Sequence, residues 1–312
     1  MRLLSVLLAG LVGGIAPAIR VDAGAQPKPP PQISVRVDLV SLDVEVLDPQ
    51  GEPVSGLQRD DFAVREDGLP RAISSFAWVS GQPLSLTAIL DTSSVTPDSL
   101  TIAREHIVLL AHLLAREDEV CLFSFDYRDA YLECDFTSDR TLLVEALENI
   151  GVTQRKKRSH LGSLFGNPPR SGLGIDAALQ NASRGRNRRK ALILVTNRLS
   201  GLGPATLDHL RESGLPAYLL SIAGGDSDRT SADHGDSSQR QILRESGGRE
   251  FLADGASMIP VCRSIAYALK NHYTMTYSTE IGSPDRVPRR IEVLVPGKDY
   301  VIHVRRSYAP AP

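Results

Sequence analysis

Asp91, Thr92, Ser93 and Ser94 place one carboxylate and three hydroxyls directly after an apolar run, Leu84 to Leu90. Oxygen ligands gathered on a strand-to-helix loop suit a hard cation such as Mg²⁺ or Mn²⁺. The spacing Asp-x-Ser-x-Ser that such a site needs breaks at its fifth position, where Val95 has no oxygen to offer. A second apolar run, Ala191 to Thr196, ends at Asn197, a further candidate oxygen. Asp91, Ser93 and Asn197 are therefore an incomplete metal set. The alternative is that Asp91 and Ser93 cap the first helix or bond to loop amides.

Other side chains offer charge instead of ligation. Arg155-Lys156-Lys157-Arg158 forms a basic run, and Asp226, Asp228, Asp233 and Asp236 an acidic one. Both follow elements that should end near the same edge of a sheet. The basic run is a candidate for attracting an acidic group on a protein partner; the alternative is two solvated loops. A second basic cluster, Arg184, Arg186, Arg188, Arg189 and Lys190, precedes a strand and belongs on the opposite rim. With no interleaved aromatics, neither cluster suits nucleic acid.

Enzyme motifs are missing. The sequence has no Gly-x-Ser-x-Gly elbow, no phosphate loop and no His-Glu-x-x-His. Its seven histidines are scattered. His106 and His112 share a helix but lie about 240° apart around it, so they cannot share a metal. Surface positions are expected for them. The net charge of −2 and 23% charged residues exert no global pull toward polyanions.

These residues need a scaffold, and the periodicities supply one. From Pro83, apolar strands alternate with helices: strand 84–90, helix 97–116, a hairpin of 120–125 and 130–136, helix 140–149, helix 173–182, strand 191–196, helix 205–213, strand 217–222, and helices 238–246 and 256–270. Continuous apolar strands between helices predict a mostly parallel, doubly wound sheet covered on both faces. Thr96 is the expected N-cap of the first helix, with Pro97 at its first position.

On both sides of this α/β region, 83–271, the period falls to two. Val35, Val37 and Leu39 share one parity, and Leu42, Val44 and Val46 the other, which predicts a bulge near Val40 or two strands. Tyr273, Met275 and Tyr277, then Ile291, Val293 and Val295, alternate again near the end. Neither set makes a stable unit alone. Segments 33–80 and 272–309 are therefore expected to pack as one small antiparallel β-sandwich, with the α/β region inserted; the alternative is two separate β appendages.

Residues 1–25 read as a secretory signal peptide: Met1-Arg2, an apolar stretch to Ile19, and the small-x-small Ala23-Gly24-Ala25. A retained anchor is the alternative, although the stretch is short and holds Pro17. Residues 26–32 form a proline-rich linker. A secreted or periplasmic protein with no membrane span after cleavage is the expectation. Cys262 falls on the apolar helix face with Ile259, Ile265, Ala266 and Leu269, as a buried thiol would. Symmetric pairing of the hairpin would set Cys121 opposite Cys134, which leaves a disulfide or two free thiols open.

The order of these pieces resembles the von Willebrand factor type A fold. The flanks narrow the resemblance: Val37-Asp38-Leu39-Val40, Asp60-Asp61-Phe62-Ala63-Val64-Arg65-Glu66-Asp67-Gly68, Glu117-Asp118-Glu119-Val120, Ser246-Gly247-Gly248-Arg249 and Arg306-Ser307-Tyr308 are similar to the VWFA-related family of the acidobacterial type. The resemblance spans about 33–309. It implies an exported, non-enzymatic, adhesion-type module that binds other proteins, in the type A fold through a divalent cation at the carboxyl ends of the strands. In that fold a second loop reads Gly-Thr-x-x-x-Asp-Ala and a third supplies Asp. This chain has Ser171-Gly172-Leu173-Gly174-Ile175-Asp176-Ala177, with Gly172 in place of Thr and Ser171 as the alternative if the loop shifts by one residue, and Asn197-Arg198 in place of Asp-Gly. The resemblance therefore implies a degenerate metal site. A Mg²⁺- or Mn²⁺-dependent adhesin using Asp91, Ser93 and a rearranged third ligand is the alternative.

Overall fold

β1 (Val37–Leu47) is the first element of the computed structural model, which describes residues 37–92, 96–126, 129–150, 170–196, 203–222, 237–253, 257–280 and 287–309. The leader and linker expected at 1–32 lie outside the described residues. β1 runs antiparallel to β11 (Asn271–Glu280) without a break, from Val37 opposite Glu280 to Val44 opposite Tyr273. Val40, Leu42, Val44 and Val46 are buried on one face, and Leu39 is exposed. The expected bulge near Val40 is therefore absent: Leu39 is simply an apolar residue on the outer face.

β2 (Ala63–Glu66) and β3 (Leu69–Arg71) form a hairpin across Asp67-Gly68. Both turn residues have positive φ, 50° and 80°, as a two-residue loop matching the strand twist requires. β4 (Ile73–Ser80) pairs with β11 on the side away from β1. With β12 (Arg289–Leu294), β13 (Val301–His303) and β14 (Ser307–Tyr308), these strands make two four-stranded sheets, ordered β13-β1-β11-β4 and β14-β12-β2-β3. Both ends of the chain contribute to each sheet. One apolar cluster joins them, with Leu42, Val44, Tyr273, Tyr277, Val64 and Ile291 among its members.

Between β4 and β11 the chain makes a six-stranded sheet, ordered β10-β9-β8-β5-β6-β7. Its strands are β5 (Leu84–Asp91), β6 (Glu119–Phe125), β7 (Ala130–Thr137), β8 (Arg189–Thr196), β9 (Ala217–Ile222) and β10 (Glu250–Ala253). All pairs are parallel except β6 with β7. This is the doubly wound, mostly parallel sheet that the alternation of apolar strands and helices predicts. β5 is buried along its whole length. Alternate side chains of β5 and β8 enter two separate clusters, Leu86, Leu90 and Ile193 on one face and Ile89, Leu192 and Leu194 on the other.

Helices α1 (Pro97–Leu113), α2 (Arg140–Asn149) and α6 (Met258–Lys270) cover the first face. α3 (Arg170–Ala182), α4 (Pro204–Ser213) and α5 (Ser237–Ser246) cover the second. Thr96 caps α1 as expected, its Oγ1 accepting from the Ser99 amide at 3.2 Å. Cys262, Ile265 and Leu269 are buried on α6, but Ile259 points outward with 52% of its surface exposed. His106 is also unlike its expectation: it is buried on α1, with Nδ1 bonded to the Ile102 carbonyl. His272 on β11 is buried as well, whereas His112 is exposed.

The hairpin β6–β7 does not pair symmetrically. Register shifts around Leu122 set Cys134 opposite Leu122, not Cys121. Cys121 packs in the second-face cluster and Cys134 against the first, so all three cysteines are free thiols.

Candidate functional site

The strand order reverses at β5, whose neighbours are β8 and β6. In open α/β sheets, ligands bind at such a switch point, outside the carboxyl ends of the strands. Asp91 is the last residue of β5 and Thr196 the last of β8, so both stand at this crevice. Both are buried, and Thr196 Oγ1 donates to Asp91 Oδ2 at 2.8 Å. The position that would orient a cation is thus bridged by a direct hydrogen bond between the two strands.

The edge continues to the next strand. Thr92 donates twice to the Phe125 carbonyl at the end of β6, from N at 2.9 Å and from Oγ1 at 2.8 Å. Asp126 follows, and its carboxylate accepts the Asp129 amide at 3.0 Å.

The second loop of the type A pattern leads into α3. Gly172 is buried there, and a Cβ on it would stand 2.7 Å from Thr206 Oγ1. Thr206 lies in the first turn of α4. Its hydroxyl donates to Asp176 Oδ2 at 3.0 Å, and His209 Nδ1 meets Asp176 Oδ1 at the same distance. Asp176 is buried, so these two residues of α4 hold a carboxylate that would otherwise be costly to bury. The side-chain space of position 172 is filled from another helix, and position 172 supplies no oxygen. At this position the chain does not fit the type A ligand set.

Of the sequence-derived candidates, Asp91 stands at the carboxyl edge as expected. Ser93, Asn197, Arg155, Lys156, Lys157 and Arg158 lie outside the described residues, as do Val95 and the aspartates at 226–236. Among the described residues no group of three His, Cys, Asp or Glu side chains is placed to hold a metal. Sequence reading passed over Thr206 and His209. Their only signal is a threonine and a histidine three apart on a short helix, Thr206 buried and His209 exposed, about thirty residues after an aspartate.

The basic cluster at the start of β8 sits at the amino ends of the strands, and three of its five cations are paired with carboxylates of other elements. Arg184 pairs with Asp135 at 2.7 Å, Arg186 with Glu119 at 3.3 Å, and Arg189 with Asp43 of β1. Lys190 Nζ donates to the Gly185 and Asn187 carbonyls at 2.6 and 2.8 Å. These four side chains tie neighbouring elements together, and Arg188 is exposed.

The motifs that carry the resemblance are also structural ties. Asp118, fully buried, accepts from the amides of Leu84 and Ala115 and pairs with Lys270 at the end of α6 at 2.6 Å. Glu66 accepts from Thr279 Oγ1 at 2.9 Å and Tyr308 Oη at 2.8 Å, and pairs with Arg71 at 3.0 Å. Gly247 has a φ of 77° and ends α5 against the backbone of Val304 and Arg305, where no Cβ fits.

No family pattern and no curated protein matches this sequence. Among solved structures, the chain is similar to the conserved hypothetical protein BatB from Bacteroides thetaiotaomicron. The identity is 18%, covering 60% of this chain and 97% of that one, with a TM-score of 0.45. An aerotolerance-related membrane protein from Bacteroides fragilis gives 19% identity over 60% and 98% of the two chains, with a TM-score of 0.44. A von Willebrand factor type A protein from Catenulispora acidiphila gives 11% identity over 88% and 75%, with a TM-score of 0.42.

Proposed function

We propose that this protein is an exported, non-enzymatic protein-interaction module that engages its partner at the carboxyl edge of the central sheet without a resident cation. One observation carries this reading: the direct hydrogen bond from Thr196 to Asp91 across the switch point. The filled space beside Gly172 supports it. With the cation's place taken, recognition falls to the loops that leave this edge. The basic run Arg155–Arg158 is the element of those loops suited to an acidic partner surface. Among the described residues no helix is long and apolar enough to cross a membrane, and the leader at 1–25 supports export to the periplasm or beyond.

Thermal melts in EDTA, Mg²⁺ and Mn²⁺, on wild type and Asp91→Ala, test the metal-free reading. The expected result is the same melting temperature in all three conditions. A rise of several degrees with millimolar metal that vanishes in Asp91→Ala would instead establish the metal-dependent adhesin. Capture of a partner from the native envelope in EDTA, by wild type and by a variant with residues 155–158 changed to Glu, tests the partner surface. Equal capture by both would remove the basic run from the proposal.

A further inference from the structure

At the opposite end of the central sheet, Ser41, Asp43, Gly214, Pro216, Ser246 and Arg305 line a cleft of about 240 Å³. Its walls come from β1, from the turn between α4 and β9, from the end of α5, and from the segment joining β13 to β14. Arg305 is half-buried, and its Nη2 donates to the Ser41 carbonyl at 2.8 Å. Its guanidinium carbon lies 5.8 Å from the centre of the Tyr308 ring. Among the described residues, Nε and Nη1 have no acceptor, and no carboxylate lies within ion-pair distance of Arg305.

The surrounding arginines differ. Arg189 is paired with Asp43, Arg211 with Asp208 and Glu245, and Arg249 with Glu45. Asp43 is further engaged by Thr274 Oγ1 at 3.1 Å and His272 Nε2 at 3.5 Å. Arg305 is thus a half-buried guanidinium without a counter-ion. Burial lowers its pKa, opposed by the more distant Tyr277, Asp43 and Tyr308. Its free donors face the cleft from a half-buried position, where a charge-assisted hydrogen bond to an entering anion is stronger than in open water.

We propose that this cleft binds a small carboxylate monoanion, held by the unpaired donors of Arg305 and the hydroxyl of Ser41. A planar guanidinium matches a carboxylate through two parallel hydrogen bonds. Asp43 on the same lining disfavours a dianion, which selects a carboxylate over phosphate. The volume limits the ligand to a few heavy atoms around the charged group. This site is separate from the carboxyl edge and stands or falls independently of the partner proposed there.

Thermal melts of the full chain with sodium acetate, sodium phosphate and sodium chloride at matched ionic strength provide the test. Acetate at several times its Kd should raise the melting temperature by about 2–4 °C, and phosphate and chloride should not. Arg305→Met should abolish the acetate shift. Because Arg305 also packs on Tyr308, Ser41→Leu is the second variant: it fills the cleft from an exposed strand position and should abolish the shift with the fold intact. No shift up to about 100 mM acetate, a larger shift with phosphate, or an unchanged shift in Ser41→Leu would overturn the proposal.

Discussion

Thr206 Oγ1 stands 2.7 Å from the point that a Cβ on Gly172 would occupy. The type A pattern has threonine at this position, and here a threonine from the next helix has taken its room and turned its hydroxyl to Asp176. The loss at 172 and the gain at 206 are one packing arrangement. Placing threonine there by Gly172→Thr should therefore overpack the contact of α3 with α4 and cost about 1–3 kcal/mol. It should create no Mg²⁺-dependent stabilisation. Urea unfolding with and without Mg²⁺ measures both, and a neutral Gly172→Thr would show that Thr206 yields its place freely.

Glu66 should be among the most sensitive surface-remote positions. It is 1% exposed, and its carboxylate joins Thr279 of β11, Tyr308 of β14 and Arg71 of β3. Glu66→Ala leaves Arg71 without its counter-ion and two hydroxyls without an acceptor, at a cost of about 3–5 kcal/mol. Tyr308→Phe removes one hydrogen bond only and should cost about 1 kcal/mol. Denaturant titration of the two variants gives the ratio. Equal, small losses would mean that the two antiparallel sheets are held by apolar packing alone.

The sequence made the sheet legible because burial on both faces leaves an unambiguous apolar run, as at Leu84–Leu90 and Ala191–Val195. β10 escaped notice because its four residues alternate exposed and buried and begin at Glu250, only two positions after Gly247-Gly248. The bulge foreseen near Val40 followed from counting Leu39 as core, when it is 69% exposed. Charged ties were harder still. Asp118 with Lys270 and Asp43 with Arg189 join residues about 150 positions apart, and no local pattern marks either pair. At the candidate site, the motif located Asp91 and Asp176, but the residues that satisfy them, Thr196, Thr206 and His209, come from other elements and become visible only when those elements pack.

The three cysteines should remain thiols even in an oxidising compartment. The β6–β7 register sends Cys121 and Cys134 to opposite faces, a direction no disulfide can span without moving the strands. Burial, and then the charge of Asp135, raises the pKa of both, and burial alone pushes Cys262 up to about 11. Thiol reagent at pH 8 should therefore label the native protein slowly, at half-buried Cys134 first, and label three thiols after denaturation. A mass increase of two hydrogens on reduction of the untreated protein would contradict the observed register.

Stability against pH should carry the signature of the charged seam between β1 and the central sheet. Glu45 on β1 faces Arg249 beside β10 at 3.2 Å, and Tyr218 of β9 and Tyr267 of α6 lie near enough to feel its charge; His303 of β13 pairs with it across the strands. Neither carboxyl oxygen of Glu45 receives a hydrogen bond. Burial outweighs the attraction to Arg249 and raises its pKa from 4.5 to about 7. The folded protein thus keeps a proton that the unfolded chain has released, and stability from this group falls as pH rises from about 4.5 to 7. His272, facing Asp43 and Arg189, and His303, facing Arg249 and Arg306, behave oppositely. Burial lowers both from 6.5 to about 4, so their contribution is lost as pH falls from 6.5 toward 4. Two histidines outweigh one glutamate below pH 6.5, and Glu45 alone titrates above it, which places maximum stability near pH 6.5 for these three groups. Glu45→Gln isolates the carboxyl. Relative to wild type, it should gain about 1.4 kcal/mol of stability per pH unit between pH 5 and 6.5, then level off above about pH 7.5. Denaturant melts across this range measure the difference, and a flat difference would show that the ion pair with Arg249 keeps Glu45 charged throughout.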